Sequence, residues 1–248
     1  MSERVYPPVI RTALTIFRLL DVKFDVRGID NVPAEGGAVL ASNHVSYLDF
    51  MFVGYVGVQR DKRLVRFLAK KSVFDSPISG PLMRGMHHIS VDRAAGAGAY
   101  RNAVDALRRD ELVGIFPEQT ISRSFVPRPL KAGAARMALA AGVPLLPVIT
   151  WGGQRIWTSG RRPRPRRHVP VSIWVDAPLA VAPDDDATTL TDRLAARLRA
   201  MVDEAVADYP LPGAPQDLWW LPAHAGGAAP TPAEAAAAEL LSIRGRRT

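Results

Sequence analysis

Hydrophobic and polar positions recur along this chain in two periods, and the alternation divides it into short strands and helices. Residues 8–20 put Val9, Ile10, Ala13, Leu14, Phe17 and Leu20 near one helical face, with Arg11, Thr12, Thr15 and Arg18 elsewhere. That spacing predicts a short amphipathic helix. "VKFDVRG" alternates Val22, Phe24 and Val26, as a half-buried strand does. A turn-rich loop, "GIDNVPAEGG", leads to a short buried strand, "AVLAS", and then to the polar stretch "SNHVSYLDF" ahead of an apolar helix. "LVRFLAK" reads as a strand, "SPISGPLMRGM" as loop and short helix, and "HHISVD" as another strand. "GAGAYRNAVDALRRDE" is helical, with Tyr100, Ala103, Val104 and Leu107 spaced for one face. "LVGIF" is a strand, and "KAGAARMALAAG" a helix stopped by Gly142. "VPLLPVIT" and "VPVSIWV" are strands on either side of an arginine-rich loop. The last long helix, "DDDATTLTDRLAARLRAMVDEAV", has acids at its start and Leu190, Leu194, Leu198 and Met201 along one stripe.

Strands and helices in this order predict an α/β fold: a single domain with a mixed, largely parallel central sheet flanked by helices, plus an N-terminal amphipathic helix. The expected division is the helix in residues 1–21, the α/β domain in 22–210, and a Pro/Ala/Gly-rich tail in 211–248, partly mobile or draped over the surface. There is no internal repeat.

Composition narrows the chemistry. The chain has 248 residues and no cysteine, which excludes disulfides, thiolate metal sites and a cysteine nucleophile. Arg11 and Arg18 interrupt the first apolar stretch, so the N-terminus is not expected to be a secretory signal. No run of about eighteen predominantly apolar residues demands a transmembrane helix. A cytosolic protein able to touch a membrane is the expectation. The net charge of +8 is unevenly placed: six arginines fall in "RIWTSGRRPRPRR", residues 155–167, with no acid among them. A second basic stretch, residues 60–71, is opposed only by Asp61. Such patches attract phosphates, although a solvated arginine-rich loop is the plain alternative.

Several catalytic classes drop out. The chain lacks a G-x-S-x-G elbow and a Walker-type phosphate loop. "GAGAYR" has Arg101 where a dinucleotide fingerprint needs its third glycine. His87 and His88 are adjacent on a predicted strand and point to opposite faces, so they do not suit one metal. The step from His44 to Asp49 is not a usual zinc spacing either, and no metal is expected.

What remains is "NHVSYLD". Residues five apart on a regular helix lie about 140° apart around its axis. His44 and Asp49 can meet only if the histidine precedes the helix and the aspartate lies in its first turn. Ser46 as N-cap, with Asp49 three residues on, predicts such a start as a variant of the capping box. A histidine held by a carboxylate has one ring nitrogen fixed as donor and the other free to take a hydroxyl proton. A satisfied structural histidine fits the same letters. Elsewhere Arg93 ends "VDR", "FPEQTISRS" follows a strand directly, and "VPLLPV" is an apolar strand between prolines.

In this order these segments resemble the glycerolipid acyltransferase family, best known for 1-acyl-glycerol-3-phosphate acyltransferases. Its N-H-x-x-x-x-D motif is Asn43, His44 and Asp49. Its apolar segment ending in Arg is similar to "HHISVDR", its F-P-E-G-T-R-S to "FPEQTIS", and its fourth motif to "VPLLPV". The resemblance spans roughly residues 20–180, with two departures: Gln119 stands for the motif glycine and Ile121 for the usual arginine. It implies transfer of a fatty acyl group from acyl-CoA or acyl carrier protein to a lysophospholipid hydroxyl, most simply lysophosphatidate. In that reading His44 is the general base and Asp49 orients it. Asn43, Arg93, Glu118, Thr120, Arg123 and Lys131 contact the acceptor, and no cofactor beyond the acyl donor is needed. The amphipathic helix, Trp151, Trp157 and the arginine loop would dock the enzyme peripherally on an anionic cytoplasmic leaflet. The alternatives are acylation of another lyso-lipid or of glycerol 3-phosphate, and a non-catalytic binder of anionic lipid. Nucleic acid is not expected, because no recognition helix or zinc module accompanies the charge.

Overall fold

The computed structural model describes residues 3–92, 96–180, 185–210 and 218–244. Its centre is a seven-stranded sheet: β1 (Lys23–Arg27), β2 (Ala38–Ser42), β3 (Val65–Lys70), β4 (Ile89–Val91), β5 (Leu112–Ile115), β6 (Leu145–Trp151) and β7 (Pro170–Val175). The spatial order is β1-β7-β6-β2-β5-β3-β4. All neighbours are parallel except β6 and β7, so β1 and β7 run against the other five. This is the α/β fold with a largely parallel sheet expected from the strand–helix alternation.

The five residues of β2, "AVLAS", are all buried, as a central strand covered on both faces requires. Its side chains divide by parity. Val39 and Ala41 join the core under α5 (Gly96–Arg108), α6 (Gly133–Ala141) and α7 (Ala187–Asp208), where Leu107, Met137 and Leu194 pack. Ala38 and Leu40 face the opposite core, which α1 (Tyr6–Leu19) covers with Phe17 and α2 (Asp49–Gln59) with Phe52, Val53 and Val56. α6 stops at Gly142, whose φ of 67° is the left-handed cap that glycine adopts without a Cβ penalty. α7 begins at a cap by Asp186, which accepts the Thr189 N–H, and buries the expected stripe Leu190, Leu194, Leu198 and Met201.

α1 packs onto the domain rather than standing free. Tyr6 and Phe17 are buried, and the Tyr6 hydroxyl donates to the Val65 carbonyl at 2.8 Å. Arg66 ties the start of the chain down by ion pairs to Glu3 and Glu111. The helix still leaves Ile16 and Leu19 exposed, and an apolar cavity of about 160 Å³ lies between it, α2 and α4 (Ser79–Gly85).

Four local expectations are corrected. α2 starts at Asp49, so Ser46 is not its N-cap; residues 47 and 48 form a turn first. His87 and His88 lie before β4, with His87 at φ 54°, and His88 Nδ1 accepts the Phe67 N–H. Trp151 is fully buried at the end of β6 and cannot meet a membrane. Arg155 is also buried, stacked over Trp220 and bonded to the Tyr209 hydroxyl, so the exposed basic run is shorter than the letters suggested. Trp220 and Leu221 thereby enter the core from the segment read as a tail. That segment also carries α8 (Pro232–Arg244), tied to the domain by an Arg128–Glu239 ion pair. Among the described residues no helix is long and apolar enough to cross a membrane.

Candidate active site

The site forms where β2 runs out between its two parallel neighbours, the edge at which sheets of this kind present their loops. The β2–β6 ladder ends at the pair Ser42 and Val148, and the side chain of Asn43 then continues the pairing. Its Oδ1 accepts the Thr150 N–H at 2.8 Å, and its Nδ2 donates to the Thr150 carbonyl at 3.1 Å. Asn43 is fully buried. With the strand pinned this far, the next residue, His44, leaves the sheet as the chain turns toward α2.

His44 Nδ1 lies 2.9 Å from Asp49 Oδ2. The turn before α2 closes the five-residue gap because the same oxygen accepts the backbone N–H groups of Val45 and Ser46, both at 2.7 Å. The carboxylate thus reaches back over the loop as the acid of a capping box does, although Ser46 Oγ accepts from Leu48 rather than capping the helix. The other oxygen of Asp49, Oδ1, accepts the Thr150 hydroxyl at 2.8 Å. Asp49 is fully buried, while the His44 side chain keeps 20% of its surface exposed. A carboxylate without a proton only accepts, so His44 holds its proton on Nδ1 and Nε2 is the basic nitrogen.

The segment "FPEQTISRS" forms the wall beside the imidazole. Phe116 stacks on the His44 ring, with centroids 4.3 Å apart and planes 21° from parallel. Glu118 is buried, and its two oxygens accept the N–H of His44 at 2.7 Å and the N–H of Arg128 at 2.8 Å. Burial pushes the Glu118 carboxyl up to about 8, against the opposing pull of those two N–H groups. The Ser122 N–H donates to the His44 carbonyl at 2.7 Å, so His44 is held at both backbone groups by this one loop. Gln119 has φ 62°, which accounts for a glycine at this place in the motif. Ile121 is buried, so the arginine usual there has no counterpart at that position.

The arginine loop is bonded to the same region. Ser46 Oγ and the Tyr47 N–H donate to the Trp157 carbonyl, and Thr158 Oγ1 donates to the Val45 carbonyl. The exposed rings of Tyr47 and Trp157 pack together at 4.8 Å. The Arg123 guanidinium lies against Gly160. Arg123 and Lys131 are exposed and Thr120 is half-buried, whereas Arg93 lies outside the described residues. Among the described residues no group of three or more His, Asp or Glu side chains could hold a metal.

The sequence reading missed Phe116 and Thr150. Phe116 was in view as the first letter of "FPEQTIS", but nothing in a sequence announces a ring stack. Thr150 could have been noticed as the one polar residue in "LLPVITW", a strand buried throughout.

The chain is similar to known proteins both in sequence and in fold. The family model described as Acyltransferase matches residues 23–151, from β1 to the end of β6. A 1-acyl-sn-glycerol-3-phosphate acyltransferase of Bacillus subtilis is 31% identical over 136 residues, 53% of this chain and 66% of the relative. One from Limnanthes douglasii is 34% identical over 147 residues, 55% of this chain and 48% of the relative. The chain therefore spans from about half to just under two thirds of the length of these relatives. In fold it is similar to the crystal structure of the 1-acyl-sn-glycerophosphate acyltransferase PlsC from Thermotoga maritima. That match has a TM-score of 0.70 at 22% identity, covering 83% of this chain and 81% of the other. With the family model spanning the sheet from its first strand to the strand that carries Thr150, this chain belongs to the Acyltransferase family.

Proposed function

We propose that this protein transfers a fatty acyl group from a thioester, acyl-CoA or acyl carrier protein, to the free hydroxyl of a lysophospholipid, with 1-acyl-glycerol-3-phosphate giving phosphatidate as the leading case. The observation that carries the reading is the His44–Asp49 pair, with Nδ1 committed to a buried carboxylate. Nε2 takes the acceptor's proton, the oxygen attacks the thioester carbonyl, and the tetrahedral species collapses to release a thiol that His44 protonates. Asp49 stabilises the imidazolium in between. No covalent enzyme intermediate is required, in keeping with a chain that has no cysteine. The names of the relatives support the acceptor class.

For the acceptor phosphate, Arg93, Arg123 and Lys131 are the proposed cations, since Ile121 cannot serve. Arg123 is supported by its position on the loop that holds His44 and by its exposure. Glu118 belongs to the site through the His44 backbone, as both its oxygens are occupied by N–H groups. The apolar cavity that reaches Phe50, the residue after Asp49, has a lining suited to the apolar end of an acyl chain. Peripheral docking on an anionic cytoplasmic leaflet is supported by exposed Ile16, Leu19, Tyr47 and Trp157 and by the exposed arginines of residues 161–167.

The test is thiol release from palmitoyl- and oleoyl-CoA, and from acyl carrier protein, across lysophosphatidate, other lysophospholipids and glycerol 3-phosphate, with product masses. Turnover should be greatest with lysophosphatidate and fall at least ~10²–10⁴-fold in His44→Ala. Vesicle binding without thiol release from any donor would identify a non-catalytic lipid binder instead.

A further inference from the structure

We propose that Thr150 is a positioning residue for the reaction: its hydroxyl fixes the rotation of the Asp49 carboxylate and, through it, the His44 imidazole. The inference rests on the acyl-transfer reading above, and it assigns a role outside the N-H-x-x-x-x-D segment, on another strand.

The two oxygens of Asp49 are held very differently. Oδ2 accepts three donors, all from the adjacent loop: His44 Nδ1 and the N–H groups of Val45 and Ser46. These donors all act on one oxygen, so how stiffly the carboxylate resists rotation about its Cβ–Cγ bond depends also on what holds the other. The only donor on Oδ1 among the described residues is Thr150 Oγ1 at 2.8 Å. A carboxylate fixed at both oxygens has its plane set, and with it the direction in which Oδ2 meets Nδ1.

Thr150 is built to be a rigid donor. It lies in β6 opposite Ile173 of β7, and on its other side the Asn43 amide clasps both its N–H and its carbonyl. A β-branched side chain has few χ1 choices, so a fixed backbone means a fixed hydroxyl. Because Asp49 can only accept, the threonine proton must point at it. Asn43, Thr150 and Asp49 are all fully buried, so none of them reaches substrate except through His44. This also gives Asn43 a purpose in the motif: it sets the threonine that sets the aspartate.

Thr150→Val keeps the shape and removes the hydroxyl, whereas Thr150→Ser keeps the hydroxyl. In the thiol-release assay the valine protein should lose about 10–100-fold in kcat, the fold-equivalent of a hydrogen bond to a charged group, with KM for donor and acceptor within about twofold. The serine protein should stay within about threefold of the parent, because its donor is retained. In parallel, NMR of the full chain with labelled histidine, assigned through His44→Ala, should find the His44 Nδ1–H signal displaced or lost in Thr150→Val and retained in Thr150→Ser. If the valine protein does not fold, Thr150→Ala makes the same comparison. A hydroxyl-free variant with unchanged kcat and an unmoved signal would overturn the proposal, as would an equal loss in the serine protein. Absence of turnover in the parent protein would instead end the acyl-transfer reading, while the NMR comparison still decides whether Thr150 orients His44.

Discussion

The ring of His44 lies against the ring of Phe116, 4.3 Å between centroids, and Phe116 in turn stacks on buried Phe67 with planes only 8° apart. One edge of the imidazole is tied to Asp49, one face is covered, and its backbone is held by Glu118 and Ser122. A general base works when its geometry is set before the substrate arrives, and little rotational freedom remains here.

Phe116→Leu should therefore keep the fold and lose the flat support. An aromatic stack is worth about 0.5–1.5 kcal/mol beyond area burial, which predicts a roughly 2–12-fold fall in kcat. Steady-state thiol release checks this, with circular dichroism as the control for folding.

Glu118 gives a pH signature in stability. Its carboxyl is raised by burial from an ordinary 4.5 to about 8, so across that interval the folded protein binds a proton that the unfolded chain has released. Stability should then fall as pH rises from about 4.5 toward 8. Urea unfolding between these limits should show the slope in the parent and lose it in Glu118→Gln. The glutamine protein should also be less stable at low pH, because its amide NH2 faces a second donor, from His44 or Arg128.

Gln119 carries backbone strain at φ 62°. The left-handed region costs a non-glycine residue about 1–2 kcal/mol, part of which glycine gives back in unfolded-state entropy. Gln119→Gly should stabilise by about 0.5–1 kcal/mol, raising Tm by roughly 1–4 °C in a thermal scan.

Trp157 tests the proposed docking surface. Its carbonyl, not its ring, holds the Ser46 hydroxyl and the Tyr47 N–H, so Trp157→Ala leaves those bonds in place. Partitioning onto vesicles rich in anionic lipid should weaken roughly tenfold, as expected for losing one large apolar side chain at an interface. Co-sedimentation at two salt concentrations separates this loss from that of the arginine contribution, which alone is screened.

By itself the sequence determined the order of the elements, because side-chain period is a local property: two for "VKFDVRG", near 3.6 for residues 100–107, and an unbroken apolar run for "AVLAS". It also singled out the pairing of His44 with Asp49, since only a turn ahead of an apolar helix could bring the two together. The tertiary structure decided everything that depends on which strands lie side by side. β2 sits between β5 and β6, so residues near 44, 118 and 150 converge although more than a hundred positions separate the first from the last. That adjacency turned Glu118 toward the His44 backbone and hid Trp151 and Arg155 from the surface. It also supplied Thr150 to the free oxygen of Asp49. Periodicity says which face of a strand is buried; only the pairing of strands says what that face touches.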